Sequence, residues 1–156
     1  EYPNDSKTLP KFKHIPILVM LALTVVTLGL YPSAWFLYRR GDIKQIDRTG
    51  TKILDNLIHF YVFSQLTLYI IFGLWEFGYL WGAYLSFIGM VMTAISIYLA
   101  LYIRELLRTY VADAAPENPL NAFVASSILF TCFLGVFYLQ THINILIDAH
   151  IFEERI

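Results

Sequence analysis

The stretch Phe77–Ile103 reads F-G-Y-L-W-G-A-Y-L-S-F-I-G-M-V-M-T-A-I-S-I-Y-L-A-L-Y-I, 27 residues without an Asp, Glu, Lys or Arg. A helix rises about 1.5 Å per residue, so about 20 mainly apolar residues cross a hydrocarbon core of roughly 30 Å. Three further charge-free runs, 14–38, 56–75 and 118–147, hold 25, 20 and 30 residues. Together the four runs leave almost no chain for a soluble domain. Backbone polar groups in lipid must be satisfied internally, and barrel strands would be alternating segments of about 10 residues, which these are not. The expectation is an all-α integral membrane protein, a single membrane domain over 1–156. It has a polar leader at 1–14 and four transmembrane helices at about 15–30, 53–75, 80–107 and 120–150. A short interfacial helix over 31–44 follows the first.

Composition agrees. The chain is 58% hydrophobic and 15% charged, against about 45–50% and 25% in soluble domains. A net charge of −1 offers no basic field for nucleic acid. With one cysteine, Cys132, no intrachain disulfide forms.

Gly29 suits a helix C-cap and Pro32 the first turn of the next helix. Tyr31, Trp35 and Tyr38 then share one face, with Arg39, Arg40 and Lys44 following. Aromatics ahead of basic residues suit a helix at the lipid–water boundary. Tyr31, Trp35, Tyr38, Arg39 and Arg40 are therefore expected to contact anionic lipid or a partner subunit. A simple topological anchor is the plain alternative. Glu76–Tyr79 reads as a tight turn between antiparallel crossings, rimmed by Trp75, Tyr79 and Trp81.

Gly82, Ser86, Gly89 and Thr93 fall on one face of the third helix. Small residues let backbones approach closely in lipid. Ser127, Thr131 and Gly135 form a shorter packing stripe on the fourth. There Gln140, Asn144 and Asp148 recur every four residues, a stripe that suits a partner subunit or helix-end solvation. His59 and His142 lie within the apolar runs but towards opposite membrane faces, so they are expected not to share a metal. No nucleotide loop, zinc spacing or nucleophile elbow occurs. No catalytic residue, metal or cofactor is expected, and the chain is expected not to be an enzyme.

Lys and Arg counts orient membrane proteins. With four crossings, Lys7, Lys11, Lys13 and Arg155 share one side, against Arg39, Arg40, Lys44, Arg48, Lys52, Arg104 and Arg108 on the other. A re-entrant hairpin at 15–38 would move the leader across, giving ten against one. It would also expose backbone to lipid unless protein covered it, so four crossings are preferred.

The segment Thr27–Tyr38, T-L-G-L-Y-P-S-A-W-F-L-Y, resembles a T-L-G-x-Y-x-x-x-W-x-x-Y signature of small bacterial inner-membrane proteins known only as domains of unknown function. Tyr138, Leu139, Gln140 and Asn144 are similar to a later segment there. The resemblance implies a multi-pass helical protein of a bacterial inner membrane, and brings no mechanism. The function expected is a non-catalytic accessory or scaffold subunit of a larger membrane complex, with other membrane subunits and lipids as partners. The alternative is a small oligomeric transport or lipid-handling protein.

Overall fold

The computed structural model describes residues 10–47, 52–74 and 79–154. Among them are seven helical segments and one pair of two-residue strands. The order is β1 (Lys11–Phe12), α1 (Ile17–Val26), α2 (Tyr31–Ile46), α3 (Lys52–Leu74), α4 (Tyr79–Ala114), α5 (Leu120–Phe123), α6 (Ile128–Leu134), α7 (Val136–Asp148) and β2 (Glu153–Glu154). Of the expected Glu76–Tyr79 turn, 76–78 lie outside the described residues.

The first apolar run does not form one crossing helix. α1 stops at Val26, ten residues or about 15 Å, half a hydrocarbon core. The cause is local. Leu28 (φ 51°) and Gly29 (φ 92°) take left-handed conformations, and Pro32 opens α2. The chain then doubles back, because Arg39 in α2 donates to the Lys13 carbonyl just ahead of α1. α2 and α3 are antiparallel in constant register: Arg40 meets Asp55, Phe36 packs edge-on against Tyr61 at 5.8 Å, and Tyr69 reaches the Leu28 carbonyl.

α4 is the long helix. Its described apolar part, Ser86–Ala114, is long enough to cross a membrane, and only 22% of its most apolar window is buried. Its upper part carries Tyr102 and Tyr110 beside Ile46 at the end of α2, so α4 runs antiparallel to α3.

The expected fourth helix over 120–150 is replaced by three pieces. Val124 and Ala125 (φ 44°) end α5, and Ser127 caps α6, its hydroxyl accepting from the Phe130 N–H at 3.2 Å. Gly135 (φ 47°, ψ −119°) then bends α6 against α7 by 117°. That conformation belongs to glycine, because a Cβ would clash with its own backbone. The α6–α7 pair passes the test for a membrane-crossing helix only when its two bent halves are taken together.

Leu99, Ile103 and Leu107 of α4, Leu139, Ile143 and Leu146 of α7 and Phe36 and Ile43 of α2 are buried between the helices. β1 and β2 pair in parallel, Lys11 with Glu153 and Phe12 with Glu154, and Phe12 stacks on Phe152 at 4.5 Å. The polar leader, from Pro10 onward, is thus held by this chain's own C-terminal segment.

Candidate functional site: a buried polar knot and an apolar groove

Two features stand out, one polar and one apolar. The polar one centres on Arg39, which is fully buried. Its Nε and Nη2 donate to Gln140 Oε1 at 3.2 and 2.9 Å, and Nη1 donates to Asp42 Oδ2 at 2.9 Å. Trp35 Nε1 donates to the same Gln140 oxygen at 2.9 Å. Gln140 Nε2 donates in turn to Asn144 Oδ1 at 2.7 Å, and Asn144 exchanges hydrogen bonds with the Ile15 backbone. The guanidinium also lies 5.7 Å from the Phe12 ring centre and 5.6 Å from that of Tyr38. A buried charge is costly unless paired and hydrogen-bonded. Here every donor group of Arg39 finds an acceptor, so α1, α2 and α7 are tied at one point.

This corrects two expectations. Trp35 and Arg39 do not face lipid or a partner. They point inward because Gln140 offers a buried acceptor that helix periodicity in 31–44 cannot reveal. Likewise Gln140 and Asn144 are consumed within the chain, and of that stripe only Asp148 is exposed. Of the other residues expected to contact lipid or a partner, Tyr38 is exposed, Tyr31 and Arg40 are half-buried. Arg40 and Lys44 both bond Asp55 Oδ2, at 2.6 and 3.1 Å.

The apolar feature is a groove of about 740 Å³ between α1, α4 and the α6–α7 elbow. Leu21, Thr93, Ser96, Phe133, Gly135 and Phe137 are among its walls. The Thr93 hydroxyl donates to the Gly89 carbonyl and that of Thr141 to the Phe137 carbonyl, both at 2.9 Å. Their hydroxyls are thereby satisfied by their own helices, and the groove offers a ligand little beyond apolar contact. Its volume lies in the range of small-ligand sites, roughly 300–1,000 Å³.

The described residues do not make the expected close packing on α4 at Ser86, Gly89 and Thr93. Ser86 and Thr93 are exposed, and a side chain added at Gly89 would meet open space. The surroundings of Gly82 lie outside the described residues. Thr93 and Ser96 instead leave room for the groove. Thr131 is buried, Ser127 is a helix cap, and Gly135 is the elbow. His59 contacts Arg40 and the Asp55 carbonyl, while His142 packs edge-on against Tyr138. Among the described residues no group of three or more His, Cys, Asp or Glu is placed to hold a metal ion.

The part of the chain that folds back as α1–α2 and continues through α3 is also the part that matches a described family. Residues 15–79 match a domain of unknown function, DUF4234. No curated protein and no solved structure matches the chain. The DUF4234 match supplies Trp35, Arg39 and the α1 wall of the groove. Gln140, Asn144 and the elbow lie beyond it.

Proposed function

We propose that the chain is a non-catalytic lipid-handling protein of a bacterial inner membrane, and that the groove takes an acyl chain of a membrane lipid. The observation that carries this reading is the groove itself, apolar and set beside the apolar helix α4. Phe133 on its rim is 85% exposed. Such a residue is unfavourable in water and at home against lipid tails. Among the described residues the groove lining holds no Asp, Glu, Lys, Arg or His, the groups that coupled ion transport would require at this depth.

The test is photo-crosslinking of the reconstituted protein with a phospholipid carrying a photoreactive acyl chain. Adducts are expected on 93–97 and 130–137. Ser96→Phe, which fills the groove, is expected to remove them and to leave adducts on the exposed Phe63 of α3 unchanged. Adducts spread evenly over all exposed apolar residues in both proteins would refute a lipid site.

A second reading, an accessory subunit of a larger complex, is supported by the Gly89–Thr93 face: Thr93 is exposed and a side chain added at Gly89 would meet open space among the described residues. Gly89→Leu fits the open space, so it is expected to leave the isolated protein stable and to abolish co-purification of a partner. Unaltered co-purifying proteins would dismiss that reading.

A further inference from the structure

The chain has a polar end and an apolar body. Lys11, Lys13, Arg39, Arg40, Lys44, Arg104 and Arg108 all gather at the end where α2 stops, α3 starts and α4 emerges. The contacts establish this: Lys11 pairs with Glu153, Arg39 with Lys13 and Asp42, Arg40 and Lys44 with Asp55, and Arg104 with the Ser126 carbonyl. From that end, two hairpins dip into the body and return. α1 descends and α2 comes back, with its tip at Leu28–Gly29 beside Tyr69, about 21 Å below Asp55 along α3. α6 descends from Ser127, beside Arg104, and α7 comes back from Gly135. That elbow shares the groove with Thr93, about 16 Å below Arg104 along α4. α4 continues a further 14 residues below Thr93, to Tyr79, about 21 Å. No hairpin accompanies it that far.

We infer that only α3 and α4 cross the membrane, that α1–α2 and α6–α7 are re-entrant hairpins entered from the basic side, and that the resulting wedge favours membrane curved towards that side. The inference rests on the membrane reading above and not on the groove's occupant. Three observations carry it. First, α1 spans half a hydrocarbon core and α6, with seven residues, about 10 Å. Second, re-entrant backbone is tolerated only where protein covers it. Here α3 lies against the first tip, α4 against the second, and the Arg39–Gln140–Asn144 knot joins the two hairpins at their base. Third, this map places all 11 Lys and Arg of the sequence on one side, eleven against none, where four crossings give seven against four. The positive-inside rule then puts the knot in the cytoplasmic leaflet.

The wedge follows from counting helices at each depth. Six helical segments, α1, α2, α3, α4, α6 and α7, share the basic-side half, and only α3 and α4 reach the other face. A body wider in one leaflet is better accommodated where that leaflet is expanded.

Single cysteines are placed at Lys13, Gln45, Phe77 and His150 in a Cys132→Ser background and labelled in oriented membranes with an impermeant thiol reagent. Lys13→Cys, Gln45→Cys and His150→Cys are expected to react from the cytoplasmic side and Phe77→Cys from the other. Lys13 and Gln45 labelling from opposite faces would overturn the map and restore four crossings. Release of the protein by alkaline extraction would overturn the membrane reading itself. For curvature, the Gln45→Cys protein in giant vesicles is labelled from outside, which marks only copies with the basic end outward. Its density in a narrow tether pulled outward is expected to exceed that in the parent vesicle. Equal density would refute the wedge while leaving the topology and the groove standing.

Discussion

Replacing Gln140 with Leu tests whether the polar knot holds the two hairpins together. Gln140 Oε1 accepts from Trp35 Nε1 and from Arg39 Nε and Nη2, all buried. After substitution Nη2 keeps the Lys13 carbonyl and Nη1 keeps Asp42, but Trp35 Nε1 and Arg39 Nε are left without a partner. A buried donor left unsatisfied costs about 1–3 kcal/mol, more when charged. Asn144 also loses the N–H it accepted from Gln140. The leucine regains some apolar burial and Arg39 keeps its charge partner Asp42, so the net expectation is a loss of about 2–4 kcal/mol from the two unsatisfied donors. For a domain of this size about 1 kcal/mol moves the midpoint by roughly 2–4 °C, so a fall of about 4–16 °C is expected in detergent, followed by tyrosine and tryptophan fluorescence. A cycle with Arg39→Met isolates the coupling. The double variant is expected to lose about 1 kcal/mol less than the two single losses added together, since groups in one network couple by 0.5–3 kcal/mol. A parent-like midpoint for Gln140→Leu, or strict additivity in the cycle, would refute the account.

Gly135→Val is expected to cost about 1–3 kcal/mol, because only glycine is relaxed at φ 47°, ψ −119°; an unchanged unfolding midpoint would mean the elbow tolerates a straight helix. Phe12→Ala removes the stack on Phe152 and one face of the Arg39 guanidinium; a loss of about 3–5 kcal/mol is expected, together with protease sensitivity of the leader, and a leader still protected would show that the strand pair alone suffices. Asp55 pairs with both Arg40 and Lys44, so Asp55→Asn is expected to lower the unfolding midpoint at neutral pH; a parent-like midpoint would mean that these pairs add nothing to stability.

Much of the helix placement was legible in the charge-free runs, and the break after Gly29 was legible because Gly and Pro stand three residues apart. Gly135 sits alone in an apolar run, and nothing nearby announces that it takes a positive φ. So one long helix was expected where three segments form. The polar knot was invisible for another reason. Arg39 and Gln140 are 101 positions apart, and amphipathic reading of either helix alone turns each towards a surface. Small residues on α4 suggest close packing because that is their commonest use in lipid; with Gly135 across the groove, the same small side chains leave space.

The long separations also bear on how the chain is made. Lys11 waits for Glu153, Ile15 for Asn144, and Arg39 for Gln140. At about 5–20 residues per second, Arg39 leaves the ribosome some 5–20 s before its acceptor exists. During that interval Arg39 has Asp42 and the Lys13 carbonyl but no acceptor for its Nε, and a buried donor left unmet is costly. A nascent chain arrested before residue 140 is therefore expected to be extracted more readily than the full chain.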